Sequence, residues 1–166
     1  VWTTTPWTLT SNVAAAVNPK LTYVKVRQGE EIFYLSKALL GILQGDAEVV
    51  EELLGEKLVG LRYRGPFDEL DPQQGVEHRV IPWNEVSENE GTGIVHIAPG
   101  AGKEDFALGK EHGLAVIAPL DESGVFVDGF DWLTGMNVAG VNDPIFDNLR
   151  SKGVLYHLER YPHRYP

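Results

Sequence analysis

Two segments of this chain carry the side chains that could do chemistry. The first runs from Trp2 to Asn12. It sets the hydroxyls of Thr3, Thr4, Thr5, Thr8, Thr10 and Ser11 and the amide of Asn12 beside Trp2, Pro6 and Trp7. A surface loop seldom spends two tryptophans, and a core strand seldom spends so many threonines. The mixture suits the wall of a pocket that offers hydrogen bonds from a stiff frame. The second segment, Gly91 to Asp105, places His96 and Asp105 on either side of the turn Pro99-Gly100-Ala101-Gly102. A carboxylate at a helix start, after such a turn, can catch a cationic amine. A histidine on the adjoining strand can limit the volume beside it, and nearby threonines can hold a carbonyl and a water. The plainer roles are a satisfied core histidine for His96 and a first-turn carboxylate complementing the helix dipole for Asp105.

Other chemistries fail on spacing. Gly100-Ala101-Gly102-Lys103 invites a phosphate-loop reading, but a Walker loop needs a glycine where Ile97 stands and Ser or Thr where Glu104 stands. The third glycine of a dinucleotide fingerprint is also missing. The histidines at 78, 96, 112, 157 and 163 form no His-x-x-x-His pair, and there is no cysteine, so no metal and no cofactor is expected. Ser11, Ser36, Ser87, Ser123 and Ser151 all lack the context of a nucleophile elbow.

Composition narrows the partners. The 166 residues are enough to bury a core and suggest one domain, 1–166. Lys and Arg number 14 against 24 Asp and Glu, a formal net charge of −10. That argues against gripping nucleic acid by broad charge neutralisation, while leaving local contact with one strand end open. No apolar run approaches the roughly 18–20 residues that cross a bilayer, and no signal peptide is visible. The chain opens on Val1 at the threonine segment and closes on Tyr161 to Pro166. Both ends read as cuts through a longer polypeptide, hence an excised domain.

The elements that must position these groups follow from periodicity. Thr22 to Arg27 alternates as a half-buried strand, Gln28-Gly29-Glu30 turns, and Glu31 to Leu35 returns as a hairpin partner. Lys37 to Gln44 reads as a short helix ended near Gly45. Val49 to Leu61 fits a helix early and a strand late. Gly65 to Pro82 reads as a long loop crossing to an extended Val76 to Ile81. Ile94 to Ala98 is a strand and Lys103 to His112 a helix. Leu114 to Ala118 and Gly124 to Val127 read as strands joined through Asp121 to Gly124. Asp143 caps a helix with Pro144 in its first turn, running to Lys152 and stopped by Gly153. Val154 to Leu158 is a last strand. Strands outnumber helices without regular alternation. The expected class is α/β, with a mixed, mainly antiparallel, barrel-like sheet and a few flanking helices.

Taken together, these segments resemble the editing domain inserted in the class I aminoacyl-tRNA synthetases for isoleucine, valine and leucine, and most closely the isoleucine branch. Thr3-Thr4-Thr5-Pro6-Trp7-Thr8-Leu9 looks like its threonine-rich signature; the other two branches carry arginine where Thr5 stands and an acid where Trp7 stands. Gly91 to His96, with Ala98-Pro99 and Asp105, is similar to the second signature. Asp131 to Val138 and Tyr161 to Pro166 fit the segment leading back to the parent catalytic body. The match is strong at those places and weak from Gln28 to Glu88, and Thr10 departs from a common proline. The His-Ile-Gly-His and Lys-Met-Ser-Lys-Ser signatures of amino-acid activation are absent, so ATP binding and isoleucine activation would fall to the parent enzyme.

The resemblance implies hydrolysis of valine wrongly carried by the isoleucine tRNA, and of valyl adenylate, with no cofactor, in the cytoplasm. It implies that Asp105 binds the substrate's α-ammonium and that His96 is the size gate. Thr4, Thr5, Thr8 and Asn12 would hold the terminal adenosine, the ester carbonyl and the attacking water, with Thr3 and Trp7 secondary. The partners implied are the 3′ end of the aminoacyl-tRNA and the rest of the synthetase chain. Rival readings are a non-catalytic aminoacyl-tRNA-binding module and an editing domain of the valine or leucine branch.

Overall fold

The computed structural model describes residues 1–159; the Tyr161 to Pro166 segment singled out above lies outside them. The strands are β1 (Ala14–Val17), β2 (Thr22–Gln28), β3 (Glu31–Ser36), β4 (Glu48–Leu54), β5 (Arg79–Pro82) and β6 (Ile94–Ile97). The helices are α1 (Lys103–His112) and α2 (Asn142–Ser151), joined by several short 3-10 turns. The class is the expected one, mixed α/β and mainly antiparallel. Among the described residues the ladders form two three-stranded sheets, ordered β5-β1-β6 and β3-β2-β4, and no closed barrel.

The first sheet carries the chemistry. β1 pairs in parallel with β5 and antiparallel with β6, which sets Ala15 opposite His96. The sequence Ala14-Ala15-Ala16-Val17 gave no strand signal, because alanine has weak strand propensity. It is a strand because partners on both sides satisfy its backbone and all four residues are buried.

In the second sheet β2 is central. Val24 and Val26 pack with Leu35 in one small core, while Tyr23 joins Val17 and Leu58 in another between the sheets. β4 reverses the expectation for 49–61: the strand comes early and a 3-10 turn at Gly55–Lys57 comes late. Glu48, Glu51, Glu52 and the leucines favour helix locally, but pairing with β2 overrides that weak preference. Lys25 stands opposite Glu51, and Glu52 pairs with Lys37 at 2.7 Å.

Other expectations shift for similar reasons. Lys37–Ile42 is 3-10 and kinked at Leu39. The extended stretch placed at 76–81 shortens to β5. Leu114 to Ala118 joins no ladder; Leu114 and Ile117 are buried, and the Leu114 N–H donates to the Gly109 carbonyl at 2.8 Å. Gly124 to Val127 makes only isolated bridges, Leu120 to Phe126 and Val125 to Asn137. Val154 to Leu158 is not a strand. The helix α2 begins at Asn142, a residue before the expected cap, and turns Ile145 and Leu149 into the main core with Phe67, Phe126, Phe130 and Leu133.

One hydroxyl ties the sheets together. Tyr23 is fully buried, and its hydroxyl donates to the Gly93 carbonyl at 2.5 Å while accepting the Asn18 N–H at 3.0 Å. Gly93 has φ +77°, and a β-carbon there would lie 2.6 Å from the Ser36 side chain, so only glycine fits. Tyr23→Phe keeps the ring and strands the buried Gly93 carbonyl and the part-buried Asn18 N–H. It is expected to cost about 1–3 kcal/mol of stability, read as a lowered urea midpoint at unchanged slope.

Candidate functional site

The threonine segment is a 3-10 turn, Pro6–Ser11, with proline at its first position. Much of its hydroxyl chemistry is internal. Thr8 Oγ1 donates to Thr5 O at 2.8 Å, Thr10 Oγ1 to Trp7 O at 2.7 Å, and Ser11 Oγ to Thr8 O at 3.0 Å. Such back-bonding stiffens a turn that has few backbone bonds of its own. Thr3 Oγ1 accepts the Thr5 N–H at 3.1 Å and lies 3.4 Å from Thr5 Oγ1. Trp7 packs against the main core. The stiff frame read from the sequence is therefore made by the hydroxyls themselves.

Trp2, Thr3, Thr4, Thr5 and Thr8 line one side of a cavity of about 260 Å³, and Val95, His96, Ala98, Ala101 and Asp105 line the other. The two segments picked out in the sequence, 88 residues apart at Thr8 and His96, thus meet across one small space. Its volume lies below the roughly 300–1,000 Å³ of pockets for drug-sized ligands, so it suits a small group. A larger groove of about 480 Å³ lies on the second sheet beside Tyr34, Glu51, Leu53 and Leu61. It gathers none of the side chains singled out above.

The hydrogen bonds at His96 fix its proton. Asn12 Nδ2 donates to the Ala14 carbonyl at 3.1 Å, which sets the direction of that amide. The same nitrogen lies 2.7 Å from His96 Nδ1, so Nδ1 must accept. The proton then sits on Nε2 and is donated to Thr8 Oγ1 at 2.9 Å. Thr8 sends its own proton to Thr5 O. Burial pushes the imidazole pKa down to about 4. His96 is a neutral wall with both nitrogens engaged, and no lone pair is left to take a proton from water.

Asp105 stands in the first turn of α1, where its charge complements the helix dipole. Its Oδ2 accepts the Ala98 N–H at 2.9 Å, which pins the carboxylate across the turn. Gly100 makes that turn possible: a β-carbon there would lie 1.8 Å from the Ile117 carbonyl oxygen. Burial raises the Asp105 pKa above the ordinary carboxylate range, and the Ala98 hydrogen bond opposes the rise. Among the described residues no cation pairs with it. A cationic ligand would relieve the charge it holds.

Of the site residues predicted from sequence, Thr3, Thr4, Thr5, Thr8, His96 and Asp105 reach the cavity. Asn12 does not line it; it is 4% exposed and stands behind His96. Sequence reading missed what lies behind Asn12. Tyr63 donates to Asn12 Oδ1 at 2.7 Å, and Gln73 Nε2 donates to the carbonyls of Thr10 and Asn12 at 3.0 and 2.9 Å. The buried His78 contacts Asn12 O and Gln73 Oε1 through Nε2 at 3.1 and 3.0 Å. These residues fall in the stretch of weak resemblance, and only the proline- and glutamine-rich character of that stretch marked it as unusual. Among the described residues no cluster of three or more histidines and acids could hold a metal ion.

No protein-family model matches the chain. It is 46% identical over 167 residues to the isoleucine–tRNA ligase of Methanothermobacter marburgensis, covering 99% of this chain and 16% of that protein. The isoleucine–tRNA ligase of Clostridium tetani is 39% identical over 166 residues, with the same coverage. The chain thus spans about a sixth of the curated relatives it matches. Among solved structures, GlLeuRS-CP1 superposes with a TM-score of 0.74 at 16% identity, covering 95% of this chain and 83% of that one. The editing domain of the P. knowlesi cytosolic leucyl-tRNA synthetase gives 0.64 at 13% identity, covering 90% and 79%. Its sequence groups with a segment of the isoleucine–tRNA ligases, and its fold is the one these synthetase editing domains share.

The state of His96 is directly measurable. An unfolded imidazole takes its proton near pH 6.5, the folded one only near 4. The stability this group contributes is therefore complete above about pH 6.5 and is lost progressively as pH falls towards 4. NMR of the His96 ring is expected to show a neutral imidazole down to about pH 4; titration near 6.5 would contradict the buried arrangement.

Proposed function

We propose that this domain hydrolyses valine wrongly esterified to the isoleucine tRNA, and valyl adenylate, as the editing part of a longer cytoplasmic isoleucine–tRNA ligase. The observation that carries this reading is the cavity wall itself: a carboxylate with no cation partner among the described residues and a neutral imidazole share a space fit for a small amino acid. Sorting of this kind answers a physical limit. A hydrophobic synthetic pocket gains only about 1–3 kcal/mol from one methylene, a limit for which isoleucine–tRNA ligase is itself the standard example. A second site can select the opposite way, by admitting the smaller product.

On this reading Asp105 anchors the α-ammonium through a charge-assisted hydrogen bond. His96 meets the side chain and excludes the extra carbon of isoleucine. Thr4 and Thr5 stand where an ester carbonyl and the terminal ribose would lie, and Thr8 stands where a water can be held. Thr3 steadies Thr5, and Asn12 acts on the substrate through His96. Water attacks the ester carbon, the carbon–oxygen bond to the ribose breaks, and the water's proton ends on the departing ribose oxygen. His96, with no free lone pair, is not the base. Positioning against an activated ester and stabilisation of its developing charge carry the rate. With net charge −10, the domain relies on the rest of the synthetase to bring the tRNA.

The missing base favours one rival, a non-catalytic module that binds aminoacyl-tRNA. A deacylation assay with valyl-tRNA separates the two. Asp105→Ala is expected to slow deacylation by about 100-fold, near the full value of a charged hydrogen bond, with the fold kept though its melting temperature falls as the Ala98 N–H loses its acceptor. A native rate in that variant would remove the amine anchor. His96→Ala is expected to release isoleucyl-tRNA hydrolysis while slowing valyl-tRNA. Continued rejection of isoleucyl-tRNA would remove His96 as the gate.

A further inference from the structure

Tyr63 lies outside both signature segments, yet it begins the chain of hydrogen bonds that ends in the cavity. Its hydroxyl lies 2.7 Å from Asn12 Oδ1. The Asn12 amide is oriented by Ala14 O, which can only accept, so Oδ1 accepts and Tyr63 donates. From there every proton has one direction: Tyr63 to Asn12, Asn12 to His96 Nδ1, His96 Nε2 to Thr8, Thr8 to Thr5 O. Thr8 is left with its proton committed and one lone pair on His96, so towards the cavity and towards Thr5 Oγ1, 3.5 Å away, its hydroxyl can act only as an acceptor. An acceptor is what holds the O–H of an attacking water.

We propose that Tyr63 is a positioning residue for hydrolysis: by holding Asn12 it fixes His96 in the Nε2–H form and keeps Thr8 as an acceptor facing the cavity. Its own setting supports the assignment. The Tyr63 N–H donates to the His78 carbonyl at 3.1 Å, and the two rings stand 5.3 Å apart, tilted by 55°. Burial raises the phenol pKa, the opposing hydrogen bond to Asn12 notwithstanding, so the hydroxyl stays protonated and remains a donor. Without it, Asn12 Oδ1 loses its donor and the Ala14 carbonyl alone holds the amide against turning; in the turned fraction an oxygen facing Nδ1 would draw the imidazole proton there. Bare Nε2 would then take the Thr8 proton, and Thr8 would lose its acceptor role.

The kinetic arm rests on the hydrolytic reading; the spectroscopic arm does not. Nitrogen-15 NMR of the His96 ring in the unaltered chain is expected to show a protonated Nε2 and an unprotonated Nδ1. A proton on Nδ1 overturns the proposal without any variant. Tyr63→Phe keeps the ring and is expected to mix the two ring forms. It should lower kcat for valyl-tRNA deacylation on the order of tenfold, with KM nearly unchanged. In an Asn12→Ala background the same change should cost nothing further, because the effect travels through Asn12. An unchanged ring signature in Tyr63→Phe, or full additivity with Asn12→Ala, overturns the proposal. An unaltered chain that does not deacylate at all sinks the hydrolytic reading alone, and the ring signature still judges the relay.

Discussion

The imidazole of His96 is gripped at both ring nitrogens, by Asn12 on one side and Thr8 on the other, and the geometry of the cavity hangs on that double hold. A histidine offers one donor and one acceptor only when neutral. The surroundings demand that state, and burial supplies it by lowering the pKa to about 4. The ring is consequently a fixed wall of known polarity. The threonine turn is locked against it through Thr8 and Asn12, and the start of β1 is tied in behind it because the Ala14 carbonyl accepts from Asn12.

Opposite that wall the constraint has the other sign. Asp105 is a part-buried carboxylate held by backbone N–H groups and, among the described residues, paired with no cation, and burial raises its pKa. A site built from a neutral imidazole, an unpaired carboxylate and hydroxyls asks for a ligand with a positive end and a carbonyl. An aminoacyl ester has both, which is why the local chemistry and the similarity to isoleucine–tRNA ligases support the same reading.

Most of the hydroxyls in the threonine segment serve the frame. Thr8, Thr10 and Ser11 all donate to carbonyls three residues back, while Thr4 makes no side-chain hydrogen bond among the described residues and faces the cavity. The density of threonine is thus a device for stiffness as much as for recognition. The second layer, Gln73 and His78, repeats the device from beneath by tying up the carbonyls of Thr10 and Asn12.

The sequence by itself singled out Thr3, Thr4, Thr5, Thr8, His96 and Asp105, which all line the cavity, and it did so through the likeness of two segments to known signatures as much as through residue type. It also determined β2 by its alternation, β3 as the return across Gly29, β6 by its apolar run and α1 by the glycines at either end. Only the tertiary structure decided that Ala14–Val17 is a strand and that Glu48–Leu54 is not a helix, since neighbouring strands overrule weak propensities there. It alone placed Asn12 behind the wall and brought Tyr63 to it across 51 residues of chain. A hydrogen bond between residues that far apart leaves no periodic trace: it depends on where two backbones come to lie, and that is settled by the packing of the whole core.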